Sequence, residues 1–410
     1  MGIRVLGMLV ALVLLFGLRQ SYAGTQEDLR AEIEQIKVQL AEMDGLKARL
    51  AELEKKIAEV PSAQRVSTGF PDAKMKIDGR LFLGVFDTGD QGQFPDWSTD
   101  INDAKLRFTF SPSERITIVN RLSTTGAKSA DFDYFYLDYA GILDSTTLRI
   151  GQRKIDVGQE TWTDNPIENI LITNSVSHVS GYSTGLALLG RLGTSPRSPL
   201  FEVGFVNGPK GVMARPTSGL PVNLKVGAEV ADRLFVSASY FDSARLRGTD
   251  NSAISVGEIA GPPTGTTEWT RRLWEADLRY NHGSTGVRSV IPTGNLPRLM
   301  AGATYGRFED DATGADDRSG TFWFVEGKYG LNSRLYAAAR YSTVNLENGA
   351  LAPLAKSPAG VNSYRRTSLG LGYRLTDLAV LKAEYTQNNT SGAPEKPSLD
   401  QWALGIASKF

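Results

Sequence analysis

The stretch WEADLRY, residues 274–280, sets Trp274, Ala276, Leu278 and Tyr280 against Glu275, Asp277 and Arg279. Apolar and charged side chains alternate with period two, the pattern of a β-strand with one oily and one wet face. The alternation recurs along the chain. AKLRFTF (104–110) opposes Leu106, Phe108 and Phe110 to Lys105, Arg107 and Thr109. VNLKVGAEV (222–230) opposes Val222, Leu224, Val226, Ala228 and Val230 to Asn223, Lys225 and Glu229. RTSLGLGYR (366–374) opposes Thr367, Leu369, Leu371 and Tyr373 to Arg366, Arg374, Ser368 and two glycines.

A soluble sandwich would turn the apolar rows inward. So many strands of this length would bury far more than one core can hold. The alternative turns the apolar rows toward lipid and the charges toward a water-filled lumen. Aromatics capping the rows, namely Tyr240, Tyr280, Tyr341, Tyr373, Tyr385 and Trp402, suit an interfacial girdle. The pattern predicts sixteen strands, near 75–87, 102–111, 115–124, 130–139, 146–155, 183–193, 199–207, 221–231, 234–243, 269–281, 298–309, 320–330, 335–345, 363–376, 378–389 and 400–410. Each approaches the ~10 residues that a tilted membrane-crossing strand needs. Connections alternate between short turns (SPSE, SPRSP, DR, LNSR, TD) and long loops (88–101, 156–182, 244–268, 346–362). The segment 282–297 is long where a short turn belongs. The fold class expected is an all-β transmembrane barrel of about 16 antiparallel strands, preceded by an α-helical coiled coil.

Three domains follow. Residues 1–23 form a signal peptide, with Arg4 before an apolar core at 5–18 and the small-residue cleavage site SYA before Gly24. That core falls short of the ~20 residues a spanning helix requires, so cleavage rather than anchorage is expected. Residues 24–65 form a periplasmic coiled coil and linker. Leu29, Ile33, Ile36, Leu40 and Met43 step by 4, 3, 4, 3, and Leu46, Leu50, Leu53, Ile57 and Val60 repeat the seam after a stammer at Gly45. Pro61 stops the helix. The mixed Ile and Leu seam favours trimers, whereas a lone amphipathic helix lying on or plugging the barrel is the other reading. Residues 66–410 form the barrel.

Composition excludes several functions. With 45 basic and 45 acidic residues the chain lacks the basic field of a nucleic-acid binder. No cysteine is present, which removes disulfides, thiolate metal sites, covalent c-type haem and cysteine nucleophiles. Only two histidines occur, His178 and His282, so no metal centre and no cofactor are expected. NSVSHVS (174–180) holds a Ser–His pair without an evident third group, and loop packing explains it better than hydrolysis. The acidic run FEDDATGADD (308–317) lacks EF-hand spacing and suits a solvated loop or divalent ions bridging lipopolysaccharide.

The last strand, LDQWALGIASKF, alternates Trp402, Leu404, Ile406 and Phe410 with small and polar residues. A final strand there pairs with KIDGRLFLGVF (76–86) and closes the cylinder. Trp402 and terminal Phe410 also resemble the signal by which the barrel assembly machinery recognises outer-membrane proteins, although Ser408 stands where that signal usually has an aromatic.

LRIGQRKIDVGQE (148–160), which follows the fifth strand, resembles the opening of loop three in the phosphate-selective porin O/P family. That resemblance implies a sixteen-stranded trimeric barrel whose third loop folds inward and narrows the pore. The coiled coil before the barrel is similar to that of porins taking up dicarboxylates.

Alternation places the basic residues Arg80, Lys105, Arg107, Arg149, Arg153, Arg271, Arg279, Arg307, Arg340, Arg366 and Arg374 inward, against Asp78, Glu229, Glu275, Asp277, Glu309, Glu326 and Glu384. Such walls focus anions. The third loop carries Asp156, Glu160, Asp164 and Glu168 from Asp156 to Tyr182, with no Lys or Arg, so an acidic constriction loop facing a basic wall is expected. The function implied is a porin for small hydrophilic solutes, anions such as phosphate or carboxylates among them, and not an enzyme. Expected partners are outer-membrane lipid and lipopolysaccharide, the assembly machinery, two further copies in a homotrimer and peptidoglycan. Two other readings stand beside it: a tether between outer membrane and cell wall, and a barrel sheathing an electron-carrying partner.

Overall fold

The computed structural model describes residues 73–410 apart from 89–96, 125–130, 165, 196–197, 208–215, 258, 260, 282–298, 349–361 and 392–399. The expected signal peptide, the coiled coil and the 282–297 connection lie outside the described residues, as does His282. Residues from Asp72 to Phe410 make one compact unit.

Eighteen strands follow one another: β1 (Lys74–Asp87), β2 (Ser98–Ser111), β3 (Ile116–Ser123), β4 (Asp131–Ala140), β5 (Thr146–Lys154), β6 (Val179–Arg191), β7 (Leu200–Val206), β8 (Val222–Ala231), β9 (Leu234–Asp242), β10 (Leu246–Arg247), β11 (Ile254–Val256), β12 (Glu268–Tyr280), β13 (Leu299–Thr313), β14 (Arg318–Gly330), β15 (Leu335–Asn348), β16 (Ser363–Thr376), β17 (Ala379–Ser391) and β18 (Gln401–Lys409). Two of them, β10 and β11, are short pieces within the connection between β9 and β12. The other sixteen form the wall, each overlapping one expected strand. Neighbours pair antiparallel around the ring, and β18 pairs with β1 from Arg80↔Lys409 to Asp87↔Trp402. Closure satisfies the edge hydrogen-bonding groups that an open sheet would expose to hydrocarbon. The seam continues past β18: Gly79 and Phe410 exchange N–H···O bonds of 3.0 and 3.1 Å.

The apolar rows face outward. Ile77, Leu81, Leu83, Leu186, Leu224, Val226, Leu278, Leu369, Leu371, Leu404 and Ile406 are exposed on the barrel's exterior. Aromatics edge this surface in two rows. One is at the short-turn end, where Tyr280, Tyr329 and Tyr373 lie in the last residues of β12, β14 and β16. The other contains the tilted ring pairs Trp274–Tyr305, Trp323–Tyr341 and Tyr385–Trp402, with centroids 5.4, 5.3 and 4.6 Å apart. A hydrocarbon-facing band between aromatic girdles is what a bilayer imposes on a barrel.

Two long connections turn into the lumen, and they give the barrel an interior core. Ile167, Ile170 and Leu171, from the connection between β5 and β6, pack on Phe82, Phe86, Tyr336, Ala338 and Val380 of the wall. Ile254, Val256 and Ile259, from the connection between β9 and β12, pack with Val176, Val179, Phe241, Phe308, Phe322 and Val344. There β11 adds to β6 as an extra antiparallel strand, Ile254↔Gly181 to Val256↔Val179.

This interior corrects one expectation. On β13 the buried, inward residues are Met300, Thr304, Phe308 and Asp310, whereas Arg307 and Glu309 are on the opposite face and bond to each other at 3.0 Å. An apolar inward row of this kind is possible because a folded loop, not water, covers it. The connection between β13 and β14 is also only residues 314–317, short at the end where long loops prevail.

Candidate functional site

The connection between β5 and β6, the third loop on its side of the barrel, starts at Ile155, makes one helical turn, α1 (Glu160–Thr163), and crosses the lumen before β6. Opposite wall sectors hold it. On one side Lys225 donates to Asp156 Oδ1 at 2.5 Å and to the Gly158 carbonyl at 2.6 Å, and Ser239 Oγ accepts from Gly158 N. On the other, Lys382 donates to the carbonyls of Pro166 and Asn169, both at 2.5 Å. Glu384 accepts from Ile172 N and Thr173 N at 2.5 and 2.9 Å. Arg340 reaches the Thr173 carbonyl and Asn169 Oδ1, and Arg366 reaches the Asn174 carbonyl. Alternation on the wall strands aims these side chains inward. The loop supplies backbone groups that have no strand partner, so each charged wall group satisfies an otherwise unpaired donor or acceptor.

The loop does not fill the lumen. Between it and the wall of β18 and β1 to β7 remains a cavity of about 530 Å³, lined by Asp78, Arg80, Lys105, Arg107, Arg121, Tyr134, Tyr136, Arg149, Lys154, Asp156, Trp162, Asp164, Glu168, Glu202 and Lys409 among others. The sequence-predicted Arg80, Lys105, Arg107 and Arg149 therefore meet at one surface. Each is paired with a wall carboxylate. Arg80 lies 2.5 Å from Asp103, Lys105 2.9 Å from Asp133, Arg107 2.8 Å from Asp78, and Arg149 2.8 Å from Asp138. Within each pair the cation is the more exposed partner: Arg107 at 42% against 20% for Asp78, Arg80 at 19% against 7% for Asp103. The carboxylates stand behind the guanidiniums, and the cationic heads meet the water. Arg121 and Arg149 also stack over Tyr134 and Tyr136, 4.1 Å from each ring centroid, which holds the guanidinium planes against the wall.

Other inward arginines are elsewhere. Arg153, Arg271 and Arg279 face the lumen but are buried, so the expectation that they line open water fails. Arg153 bonds Glu202 and Asn223, Arg271 bonds Asp310, and Arg279 bonds Thr304. Folded loops and neighbouring side chains cover these positions. Arg366 serves as an anchor for the loop, and Arg374 sits beside a short turn, 3.4 Å from Asp377.

The four loop carboxylates divide. Glu160 turns away from the cavity into the loop itself, where Ser175 N and Oγ donate to it at 2.8 and 2.5 Å, so it does not present charge to the water. Asp156, Asp164 and Glu168 border the cavity. Burial raises the Asp156 carboxyl to about 6, with Lys225 opposing. Burial also works against the Asp164 carboxylate, but Lys154 and His178 outweigh it and hold the group well below the usual carboxylate range. Glu168 is pushed up to about 7 by burial, against Lys409, Lys382, Arg80 and Lys328. In NSVSHVS, His178 lies 3.5 Å from Asp164, while Ser177 Oγ donates to Ser175 Oγ and Ser175 Oγ to Glu160. Those hydroxyls are engaged in loop packing.

Arg121, Asp103, Asp133 and Asp138 were not singled out from the sequence. The strand ITIVNRLS (116–123) carried a signal for the first of them, since its alternation puts Val119 and Arg121 opposite Ile118 and Leu122. Lys154 is the last residue of β5, and Trp162 stands in the loop segment, where alternation says nothing.

No protein-family model matches the sequence, and no curated protein sequence matches it. Solved structures do. DcaP, an outer membrane channel of Acinetobacter baumannii, is similar over 82% of this chain and 97% of its own, at 12% identity and a TM-score of 0.56. OmpT, an outer membrane protein of Vibrio cholerae described in a trimer form, is similar over 82% and 99%, at 12% identity and a TM-score of 0.54. An anion-selective porin from Comamonas acidovorans is similar over 83% and 100%, at 10% identity and a TM-score of 0.54. At such identities the likeness is one of architecture. The chain is built on the closed sixteen-strand barrel fold that these outer-membrane proteins share.

Proposed function

We propose that this chain is an outer-membrane porin through which small hydrophilic solutes diffuse passively, with anions such as phosphate and carboxylates favoured. The observation that carries this reading is the order of charge at the cavity wall: in every pair from Arg80–Asp103 to Arg149–Asp138 the cation is nearer the water. A mobile anion entering there meets guanidinium and ammonium heads first, and a low-dielectric wall strengthens their field. Arg80, Lys105, Arg107 and Arg149 are the pore-lining residues in this reading, with Asp156, Asp164 and Glu168 on the facing loop. The paired wall acids keep the preference modest, as suits a general-diffusion channel.

Three copies assemble through the predicted heptad seam in the periplasm, where the helical segment also meets peptidoglycan. Outer-membrane lipid and lipopolysaccharide surround the apolar band, and Trp402 with Phe410 serves the assembly machinery. Planar-bilayer recording tests the central claim. A standing conductance is expected, with a reversal potential in a KCl gradient on the anion side. A silent bilayer with correctly folded protein would overturn it and leave the tether reading. Charge reversal at Arg107, the most exposed of the paired cations, should move the reversal potential toward cations.

A further inference from the structure

Beside the loop crossing lies a second group of charges, of which only Arg80 belongs to the wall pairs. Glu168, 8% exposed, hangs from the loop tip into the same cavity that Arg80 and Lys409 line. Its electrostatic neighbours are four cations: Lys409 on β18's last residue, Lys382 on β17, Arg80 on β1 and Lys328 on β14. Lys382 is already committed to loop carbonyls, and Glu384 acts on it as well. Lys328 is different. Only 1% exposed, its ammonium sits 5.3 Å from the Tyr336 ring centroid and meets no hydrogen-bond acceptor among the described residues. The Tyr336 hydroxyl, equally buried, also lacks one. Two buried polar heads of donor chemistry thus stand open beside three further positive charges and one carboxylate. A buried ammonium without an acceptor is costly, and it marks a place built for an anion.

The wall makes room for it. Gly372 and Gly370 are inward positions of β16, and a side chain at either would collide with the Tyr336 ring or with Leu171 of the loop. Glycine here lets the ring and the loop tip lie directly on the backbone, and Lys328, Lys382 and Glu168 are near enough to act on one another electrostatically.

We propose that Lys328, Tyr336, Arg80 and Lys409 form an oxyanion subsite whose resident occupant is the chain's own Glu168 carboxylate, and that a permeating oxyanion, phosphate or carboxylate, takes its place. Glu168 is then the residue that sets how strongly the channel favours anions. The inference rests on the porin reading and deepens it. The Glu168 carboxyl, raised by burial to about 7, is neutral below that value and charged above it. Neutralising it frees the cations, so anion preference should rise as pH falls through 7, a range in which exposed surface carboxylates, titrating near 4, stay charged and give no change.

The test uses the full chain in planar bilayers, with wild type and Glu168→Gln compared at pH 6 and pH 8 in a KCl gradient. Heat-modifiable mobility on gels confirms folding of each. Wild type should become roughly two- to fivefold more anion-preferring at pH 6. Glu168→Gln should show the higher preference at both pH values. Inorganic phosphate and acetate are then titrated separately as blockers of the KCl current. Both should block Glu168→Gln at lower concentration than wild type at pH 8, and the stronger blocker identifies which oxyanion geometry fits. Lys328→Met should weaken the block. If it misfolds, the wild-type pH series still decides. An unchanged anion preference in Glu168→Gln, or equal block by both anions in the two proteins, overturns the subsite while leaving the channel intact. Absence of any conductance in wild type overturns the porin reading, and the subsite with it.

Discussion

Arg271 and Asp310 meet through two parallel hydrogen bonds of 2.8 Å, and neither side chain is exposed to solvent. The same carboxylate accepts from Arg318 Nε at 2.8 Å, while Arg271 donates to the carbonyls of Ile259 and Ile254 at 2.6 and 3.2 Å. One acid thus joins the wall to the second inward loop. Asp310→Ala strands two guanidiniums in a dry interior, and breaking a buried pair in this way costs about 3–5 kcal/mol. The urea midpoint of the protein in detergent should fall, and trypsin should gain access at Arg245 or Arg247. An unaltered midpoint would show that the cluster holds no stability.

Lys382 and Glu384 sit two residues apart on β17 and hold the loop tip from the same inward face. Hydrogen bonds to charged groups are worth about 1.5–3 kcal/mol each. The double variant Lys382→Met with Glu384→Gln should therefore release the tip. Larger and noisier single-channel currents are expected than in wild type. A quiet, unchanged current would mean that the hydrophobic contacts of Ile167, Ile170 and Leu171 suffice alone.

The pH dependence of the loop follows from Asp164. Its carboxyl is held below the usual range by Lys154 and His178, so the folded loop binds that proton more weakly than the unfolded chain does. The stabilisation is present above the ordinary carboxylate value near 4 and is lost as pH falls toward the depressed one. Trp162, two residues away, reports the change. Its fluorescence should shift on acidification below pH 4, and Asp164→Asn should already show the altered signal at pH 7.

Gly158 and Gly141 make a controlled comparison of backbone and packing. Both have positive φ, +69° and +82°. A methyl group on Gly158 would run into the Glu275 carboxylate, whereas one on Gly141 meets open space. Gly141→Ala should cost only the left-handed backbone penalty of about 1–2 kcal/mol. Gly158→Ala should cost more, because it also displaces the turn whose carbonyl Lys225 holds. Equal losses in the urea midpoint would place Glu275 away from the loop.

The wall was legible because lipid and water act on alternate residues of each strand. Trp274, Leu278 and Tyr280 face outward, and Glu275, Asp277 and Arg279 face inward, as the period requires. Reading failed where a loop replaces the water. Phe308 and Phe322 look inward because Ile254, Val256 and Ile259 cover them, so the rule that greasy residues mean lipid put Arg307 and Glu309 on the wrong face. Nothing periodic announces that a loop folds inward, although Ile254, Val256 and Ile259 are oddly apolar for one exposed to solvent. Burial of Arg271 has the same origin, whereas Arg153 and Arg279 are engaged by wall side chains, Glu202 and Asn223 for the first and Thr304 for the second. Glu160 escaped for a different reason: its partner, Ser175, is fifteen residues distant along an irregular segment.

The inward loops pack on β9 and β12–β17 and, at the seam, on Phe82 and Phe86 of β1, while the cavity borders β1–β7 and Lys409 of β18. The barrel is therefore lopsided, insulated along one flank and hydrated along the other. Field lines from Arg80, Lys105, Arg107 and Arg149 cannot spread evenly around the bore; they are squeezed into the hydrated crescent. On the porin reading, a single charge altered there acts on nearly every ion sharing that crescent, so modest sequence drift along β1–β7 can retune what the protein admits while leaving its insulated flank untouched.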